Sequence, residues 1–593
     1  MNNFELAKEY FLDGCGFLEA ENFSQAEHKF IKSLEYIPDR ASTLTNLSAA
    51  QLKLKKYSEA RASAQKAILV EADNSEAYLN LGIIENDLKN FESAIKFFDK
   101  ALSLKPEYAE AWSNKGVTLK DLKRYDEVIT HYDKALSLKN DIDWIYGYLT
   151  HAKMKMCNWS DFLDSSEIIS KKVTVNEKVT SPFVLLALKD DILLHKQASQ
   201  IYAQNKYPFN PTLGPIIKSS RNQKIRIGYF SADFRNHAVS VLMAELFELH
   251  NKNRFEIFAF SFGADDKSPM RLRLSQAFSQ FIDVSDMSEL EIAELSRSLQ
   301  IDIAVDLGGY TQDSRTGIFS YQAAPIQMSY IGYLGTMGAE YYDYLLADET
   351  IIPENLQKFY SEKILYLPSY QVNDRKRIIS ERQFTREELG IPETGIVFCC
   401  FNNNYKILPS TFDSWMRILN AVEGSVLFLY ADNEWSKANL IKEAGLRGID
   451  GARLIFGGRI PAEEYLARYQ TCNLFLDTFP YNAGTTASDA LWAGLPVLTL
   501  IGQSFASRVA ASLLNAIGLP ELITNTQEEY EALAIELAIH PHKLADIKLK
   551  LAKNRLTAPL FDTPLFTKNL ESAYIKMYER YQNDFQPDHI SIF

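Results

Sequence analysis

Small and apolar residues recur at a fixed spacing from Ala7 to about Ile142. Four segments, 7–40, 41–74, 75–108 and 109–142, place a small residue at their eighth position: Gly14, Ser48, Gly82 and Gly116. Their twentieth position is Ala26, Ala60 and Ala94 in the first three, and their twenty-seventh is Ser33, Ala67, Ala101 and Ala135. Pro38 and Pro106 close two of them. This pattern predicts helical hairpins, 1–142, that meet at the small positions and stack into a solenoid. The helical pattern continues over 143–205, including His151–Ser160 and Ser181–Leu188, and predicts an adaptor packing the solenoid on the next domain. Residues 206–224, with Pro208, Pro211, Gly214, Pro215 and a polar tail from Ser219 to Lys224, predict a linker.

From Ile225 short apolar runs alternate with helical segments. The first series is Ile225–Phe230, Phe255–Phe260, Ile301–Leu307, Pro325–Ile331 and Tyr344–Leu346. The second is Ile396–Phe401, Ser425–Leu429, Arg453–Phe456, Asn473–Leu476 and Pro496–Leu500. Strand–helix alternation predicts two doubly wound parallel sheets, in 225–385 and 386–561, followed by a C-terminal helix and tail over 562–593. The final helix, about Thr563 to Gln582, is expected to cross back to the first of them. Ligands of such sheets bind outside the carboxyl ends of the strands, so two facing domains leave a cleft.

Composition narrows the partners. Hydrophobic residues make up 46% and charged residues 23%, as in ordinary globular domains, and no apolar run is long enough to cross a bilayer. Met1–Ala20 is acidic and amphipathic, unlike a secretory leader, which predicts a cytoplasmic protein without a membrane partner. A net charge of -13 argues against nucleic acid as a general partner. Cys15, Cys157, Cys399, Cys400 and Cys472 have no metal-ligand spacing and are expected to be buried thiols in a reducing compartment.

Candidate chemistry falls at strand ends. Cys472–Asp477 reads as a buried strand broken by Pro480, Asn482 and Gly484, with a helix starting near Thr485 and Thr486. Hydroxyls and free N–H groups at such a helix start suit a diphosphate, although a threonine there also serves simply to cap a core helix. Asp489, one turn on, shares a face with Thr485 and is placed to accept from a ribose. His237 follows the first strand of the first domain, where a near-neutral side chain can orient or deprotonate a hydroxyl. Lys406, in Phe401-Asn-Asn-Asn-Tyr-Lys406, supplies positive charge after a strand. Gly335, Thr336 and Gly338 predict a turn whose N–H groups face the cleft, for sugar or acceptor. Asn46, Asn80 and Asn114 hold the sixth position of repeats two to four, an in-register set of amides able to hold a peptide backbone. Asp141-Ile-Asp143, at the solenoid's end, reads as a solvated charge pair.

The loop Phe479–Leu500 with Ser507–Ser512, the tetratricopeptide length of the repeats, and the contexts of His237 and Lys406 resemble the O-linked N-acetylglucosamine transferase family, glycosyltransferase family 41. The resemblance covers the chain from the repeats through Ser512. It implies an α-helical tetratricopeptide solenoid followed by an α/β GT-B fold of two Rossmann-like domains, and an inverting protein O-glycosyltransferase. It implies that His237 and Lys406 serve catalysis, and that Asn403, Lys406, Tyr465, Arg468, Gly484, Thr485, Thr486 and Asp489 bind the donor. It further implies an acceptor polypeptide along Asn46, Asn80 and Asn114, and a UDP-sugar as co-substrate with no metal or other cofactor.

The chain departs from the family at several points. Leu12 stands in the first repeat where the ladder would have asparagine, and Leu334 where the family usually has proline. Gly484, Ala462 and Tyr465 replace a histidine, a lysine and a histidine of animal members, and Asp302 another histidine, whereas Arg468 matches. The implied reaction is transfer of N-acetylglucosamine from UDP-N-acetylglucosamine to Ser or Thr. The departures keep two other transfers open, glucose from UDP-glucose to Asn and fucose from GDP-fucose to Ser or Thr. An inactive peptide-binding scaffold is the reading from a different class. A homo-oligomer remains open, since solenoid faces often pair.

Overall fold

The computed structural model describes residues 2–218 and 222–592, so residues 219–221 of the expected linker lie outside the described residues. The chain divides into two compact units, Met1–Lys153 and Met154–Phe593. The division falls inside the helix Ile145–Lys155, within the segment expected to be an adaptor.

The first unit is built from helix pairs: α1 (Asn3–Glu19) with α2 (Phe23–Tyr36), α3 (Ala41–Lys53) with α4 (Tyr57–Val70), α5 (Ser75–Asp87) with α6 (Phe91–Leu104), and α7 (Ala109–Asp121) with α8 (Tyr125–Leu138). Helix α1 starts before Ala7 because Asn2 caps it, accepting from the Glu5 N–H at 2.9 Å. Each pair turns on a left-handed residue, Glu21, Lys55, Lys89 or Lys123, at φ 55 to 61°.

The small eighth position has a steric cause. A Cβ on Gly14, Gly82 or Gly116 would lie 2.6, 2.4 or 2.5 Å from the ring of Phe30, Phe98 or Tyr132 on the partner helix. In the second repeat Ala64 replaces the ring, and Ser48 fits, its hydroxyl donating to the Ala60 carbonyl at 2.8 Å. Gly82→Val is therefore expected to destabilise the solenoid by about 1–3 kcal/mol. A lowered thermal midpoint for loss of helical circular dichroism would record it.

In the second unit the helices Phe162–Thr174, Pro182–Leu188 and Ile192–Lys206 precede two parallel sheets. The strands are β1 (Ile225–Ser231), β2 (Phe255–Ser261), β3 (Gln280–Asp283), β4 (Ile303–Asp306), β5 (Ile326–Ser329), β6 (Tyr344–Ala347), β7 (Lys363–Tyr366), β8 (Val397–Cys400), β9 (Val426–Tyr430), β10 (Leu454–Gly457), β11 (Leu474–Leu476), β12 (Val497–Leu500), β13 (Ile523–Thr524) and β14 (Ile590–Ser591). One sheet has the order β14-β7-β6-β5-β4-β1-β2-β3 and the other β10-β9-β8-β11-β12-β13. Their centres are buried on both faces, as for β1, where Ile227 lies opposite Ile257 and Ile303.

The helix Thr563–Gln582 follows the second sheet in sequence but packs on the first. Its Tyr574 hydroxyl lies 3.0 Å from that of Tyr229 on β1, and Glu571 meets the His250 ring at 3.1 Å. Strand β14 then pairs with β7. Strand order reverses between β1 and β4 in one sheet and between β8 and β11 in the other, and crevices at such reversals bind ligands. Among the described residues no helix is long and apolar enough to cross a membrane.

Candidate functional site

Two loops leave the second sheet at its reversal, one after β8 and one after β11, and Lys406 joins them. Its residue is 9% exposed, and Nζ donates to the Asn482 carbonyl at 3.0 Å while lying 3.7 Å over the Tyr481 ring. With that one acceptor among the described residues, two of the ammonium's three donors are left for another oxygen. Burial pulls the Lys406 pKa down to about 8, with the Asp477 carboxylate pulling the other way. Asp477 braces the second loop: Oδ1 accepts from the Thr478 and Ala483 N–H groups, each at 2.8 Å, and Oδ2 from the Thr499 hydroxyl at 2.7 Å. Burial pushes its pKa up to about 6, against those hydrogen bonds. Of the three consecutive asparagines only Asn403 is exposed; Asn402 donates to Thr478 Oγ1 at 2.8 Å and Asn404 to the Tyr430 carbonyl at 3.2 Å.

The bracing delivers the chain to the helix Thr485–Trp492, whose cap, Gly484, offers no side chain. Thr485 and Thr486 are half-buried, and no side chain caps this helix start, a geometry suited to an anion. A Cβ on Gly484 would sit 3.5 Å from Gln371 Oε1, which belongs to the segment joining the two sheets. Asp489 is held by a residue that sequence reasoning missed, Arg377 of the same segment, through an Nη1–Oδ1 contact of 2.6 Å. Burial pushes the Asp489 pKa up to about 6 despite the Arg377 charge.

Across the cleft, His237 stands at the N-cap of the helix Ala238–Leu249. Its Nδ1 lies 3.4 Å from the Val239 N–H and 3.4 Å from Asp233 Oδ2. A neutral ring can serve only one of them: with the proton on Nδ1, it donates to Asp233 and presents Nε2 as a proton acceptor. Desolvation lowers the His237 pKa against the pull of Asp233, with Arg235 and Arg459 adding to the fall, while 43% of the side chain stays open to solvent. Arg459 follows β10 of the second sheet, so charges from both halves act on this ring.

Other expectations are revised. In the turn containing Gly335, Thr336 and Gly338, the Thr336 hydroxyl and the Gly338 N–H are turned inward and do not face the cleft. Buried Glu362 draws in the Thr336 hydroxyl at 2.6 Å and the Met337 N–H at 2.5 Å, and the Gly338 N–H goes to Thr336 Oγ1 at 3.2 Å. Gly338 has φ +65° and packs on the Ser199 and Gln200 backbone, where a Cβ would meet atoms at 2.6 Å, so this glycine serves packing. Arg468 is 2% exposed, stacked 4.5 Å from the Phe401 ring centroid and donating to the Gly458 carbonyl at 3.1 Å. Half-buried Tyr465 bonds Tyr469, oxygen to oxygen at 2.5 Å. Asp302 precedes β4, away from the carboxyl ends, and accepts from the Arg226 N–H at 2.8 Å. Its substitution therefore does not bear on the cleft.

In the solenoid, Asn46, Asn80 and Asn114 recur on α3, α5 and α7. Their amide nitrogens are already engaged: Asn46 with Cys15 Sγ at 3.4 Å, Asn80 with the Thr45 carbonyl at 3.1 Å and Asn114 with the Glu110 carbonyl at 2.8 Å. Among the described residues no group donates to their amide oxygens.

These shifts set a pH window for any diphosphate diester bound here. Below about pH 6 Asp489 gains a proton and loses its acceptor charge, and above about pH 8 Lys406 loses its positive charge. Affinity for a nucleotide sugar is expected to be highest between those values and to fall up to about tenfold one unit above the upper one. Calorimetric titrations across this range check it.

The model of glycosyl transferase family 41 matches residues 191–384 and 376–570, and the tetratricopeptide repeat model matches 75–108 and 109–141. The chain is 35% identical over 466 residues to the probable UDP-N-acetylglucosamine–peptide N-acetylglucosaminyltransferase SEC of Arabidopsis thaliana, covering 75% of this chain and 48% of that protein. It is 27% identical over 495 residues to the UDP-N-acetylglucosamine–peptide N-acetylglucosaminyltransferase of Caenorhabditis elegans, covering 64% and 43%. The chain thus spans about half the length of the curated relatives it matches. Among solved structures it is similar to a mutant O-GlcNAc transferase from Thermobaculum terrenum, with TM-score 0.68, 25% identity, and 92% and 98% of the two chains covered.

Proposed function

This chain belongs to glycosyl transferase family 41, and from that we propose that it is an inverting protein O-glycosyltransferase moving N-acetylglucosamine from UDP-N-acetylglucosamine to Ser or Thr. The observation that carries the reading is the convergence of buried Lys406 and the uncapped helix Thr485–Trp492 on one loop at a sheet reversal. Their positive ends suit the charge that grows on a departing diphosphate, which makes the reaction metal-independent in this account. The acceptor oxygen attacks the anomeric carbon as the bond to the β-phosphate breaks. The hydroxyl proton passes to His237 Nε2, whose other nitrogen Asp233 holds. Asn403, exposed beside Lys406, contacts the donor, and the amide oxygens of Asn46, Asn80 and Asn114 hold the acceptor backbone. The names of both curated relatives support this donor and a peptide acceptor.

Gly484, exposed Ala462 and half-buried Tyr465 favour keeping a second reading, in which the fold uses UDP-glucose toward Asn or GDP-fucose toward Ser or Thr. Calorimetric titration of UDP-N-acetylglucosamine, UDP-glucose and GDP-fucose, each with and without a chelator, separates the readings. The proposal expects UDP-N-acetylglucosamine to bind most tightly and the chelator to change nothing. Preference for another donor would move the assignment to it, and loss of binding with chelator would overturn metal independence.

A further inference from the structure

We propose that Arg377 and Asp489 together clamp the ribose diol of the bound nucleotide, the arginine giving and the carboxylate receiving a hydrogen bond. The inference rests on the donor-site reading above and adds a residue outside every motif of the sequence.

Arg377 is anchored on three sides. Nη1 meets Asp489 Oδ1 at 2.6 Å, Nε donates to the Asp374 carbonyl at 3.0 Å, and the guanidinium lies 5.4 Å from the Trp492 ring centroid. Trp492 returns a bond from Nε1 to the Arg377 carbonyl at 3.3 Å. Asp374 is itself fixed by Arg273 and by the Lys376 N–H at 2.8 Å, so the segment is set before any ligand arrives. The side chain of Arg377 is 6% exposed and that of Asp489 12%.

Within this frame Arg377 Nη2 is buried with no acceptor among the described residues. Buried donors of this kind are nearly always satisfied in the functional state. Asp489 shows the complementary lack: Oδ1 is taken by Arg377, and no described protein group donates to its other oxygen. A donor without an acceptor and an acceptor without a donor thus stand on one ion pair, one helical turn past Thr485 of the anion-binding helix start. A cis-diol satisfies both, one hydroxyl donating to the carboxylate while the other accepts from the guanidinium. The chemical class is a ribonucleoside diphosphate, recognised by its sugar and not by its base.

The test titrates UDP and GDP, and their 2′,3′-dideoxy forms, into the full chain and into Arg377→Met and Arg377→Lys. The parent is expected to prefer the ribonucleotide by about tenfold or more, and Arg377→Met to lose most of that preference while binding the dideoxy form nearly as before. In turnover assays KM for the donor rises more than kcat falls. Should Arg377→Met fail to fold, Arg377→Lys decides, since it keeps a charge beside Asp489 but has no second nitrogen for the ribose. Equal binding of ribo and dideoxy forms by the parent, or an unchanged preference in the variants, overturns the clamp. If GDP binds and UDP does not, the uridine assignment falls and the clamp is scored on the guanosine pair. Binding of neither nucleotide defeats the donor-site reading and the clamp with it.

Discussion

Lys406→Ala is expected to lower the rate of sugar transfer by about a hundred- to a thousandfold, the range seen when one preorganised electrostatic contact to a developing negative charge is removed. The physical reason is local. Lys406, on the loop after β8, is a buried cation bonded to the loop that leads into the helix Thr485–Trp492, and among the described residues its one acceptor is the Asn482 carbonyl. Without it the helix start alone faces the departing diphosphate. Lys406→Arg should not restore activity, because a longer side chain stacked flat on the Tyr481 ring carries its charge away from the position the buried ammonium holds, 3.7 Å over that ring. Lys406→Ala also leaves buried Asp477 without its neighbouring positive charge, so its pKa rises further. Thermal unfolding of the full chain separates a stability loss from a chemical one, and single-turnover rates at saturating donor give the catalytic loss directly.

His237→Ala is expected to reduce kcat by about a hundredfold or more while leaving donor affinity within a few-fold of the parent. In the other tautomer, with Nδ1 unprotonated, the ring instead caps the helix, and alanine would remove that cap at a cost of about 1 kcal/mol. His237→Asn separates the roles, since its amide oxygen can cap the Val239 N–H but cannot take a proton at neutral pH. If the ring is the proton acceptor, Asn behaves like Ala in turnover and the acidic limb contributed by the histidine disappears from the pH profile. Because burial and the nearby arginines lower the His237 pKa, that limb lies below the ordinary histidine value, and activity is lost as pH falls through it. Activity restored by Asn would show that the ring only positions the helix and the acceptor.

What could be read along the chain and what could not divide by sequence distance. The solenoid was legible because a steric demand repeats: a ring on one helix requires glycine at the same offset in three of the four hairpins, as with Gly82 against Phe98. The central strands were legible as apolar runs. Strands β3, β7, β13 and β14 were not, because short strands at or beside the sheet edges carry little pattern. At the site, Lys406, Thr485, Thr486 and Asp489 stand in local motifs. Their partners come from far away: Arg377 lies 112 residues from Asp489, and Glu362 lies 26 from the Thr336 hydroxyl it captures. No local signal marks such pairs, which is why the amides of the Gly335–Gly338 turn were expected to face the cleft. The one usable hint was the cluster of charged residues Asp374-Arg-Lys-Arg377 between the sheets, where a linker would ordinarily be solvated.

The measurement that bears most directly on the central claim is mass spectrometry of lysate proteins incubated with the purified chain and UDP-N-acetylglucosamine, beside Lys406→Ala. The account predicts a mass increase of one N-acetylhexosamine on Ser or Thr residues of several proteins, absent with Lys406→Ala. Unmodified proteins with this donor and every other nucleotide sugar supplied, from a folded chain, would contradict it.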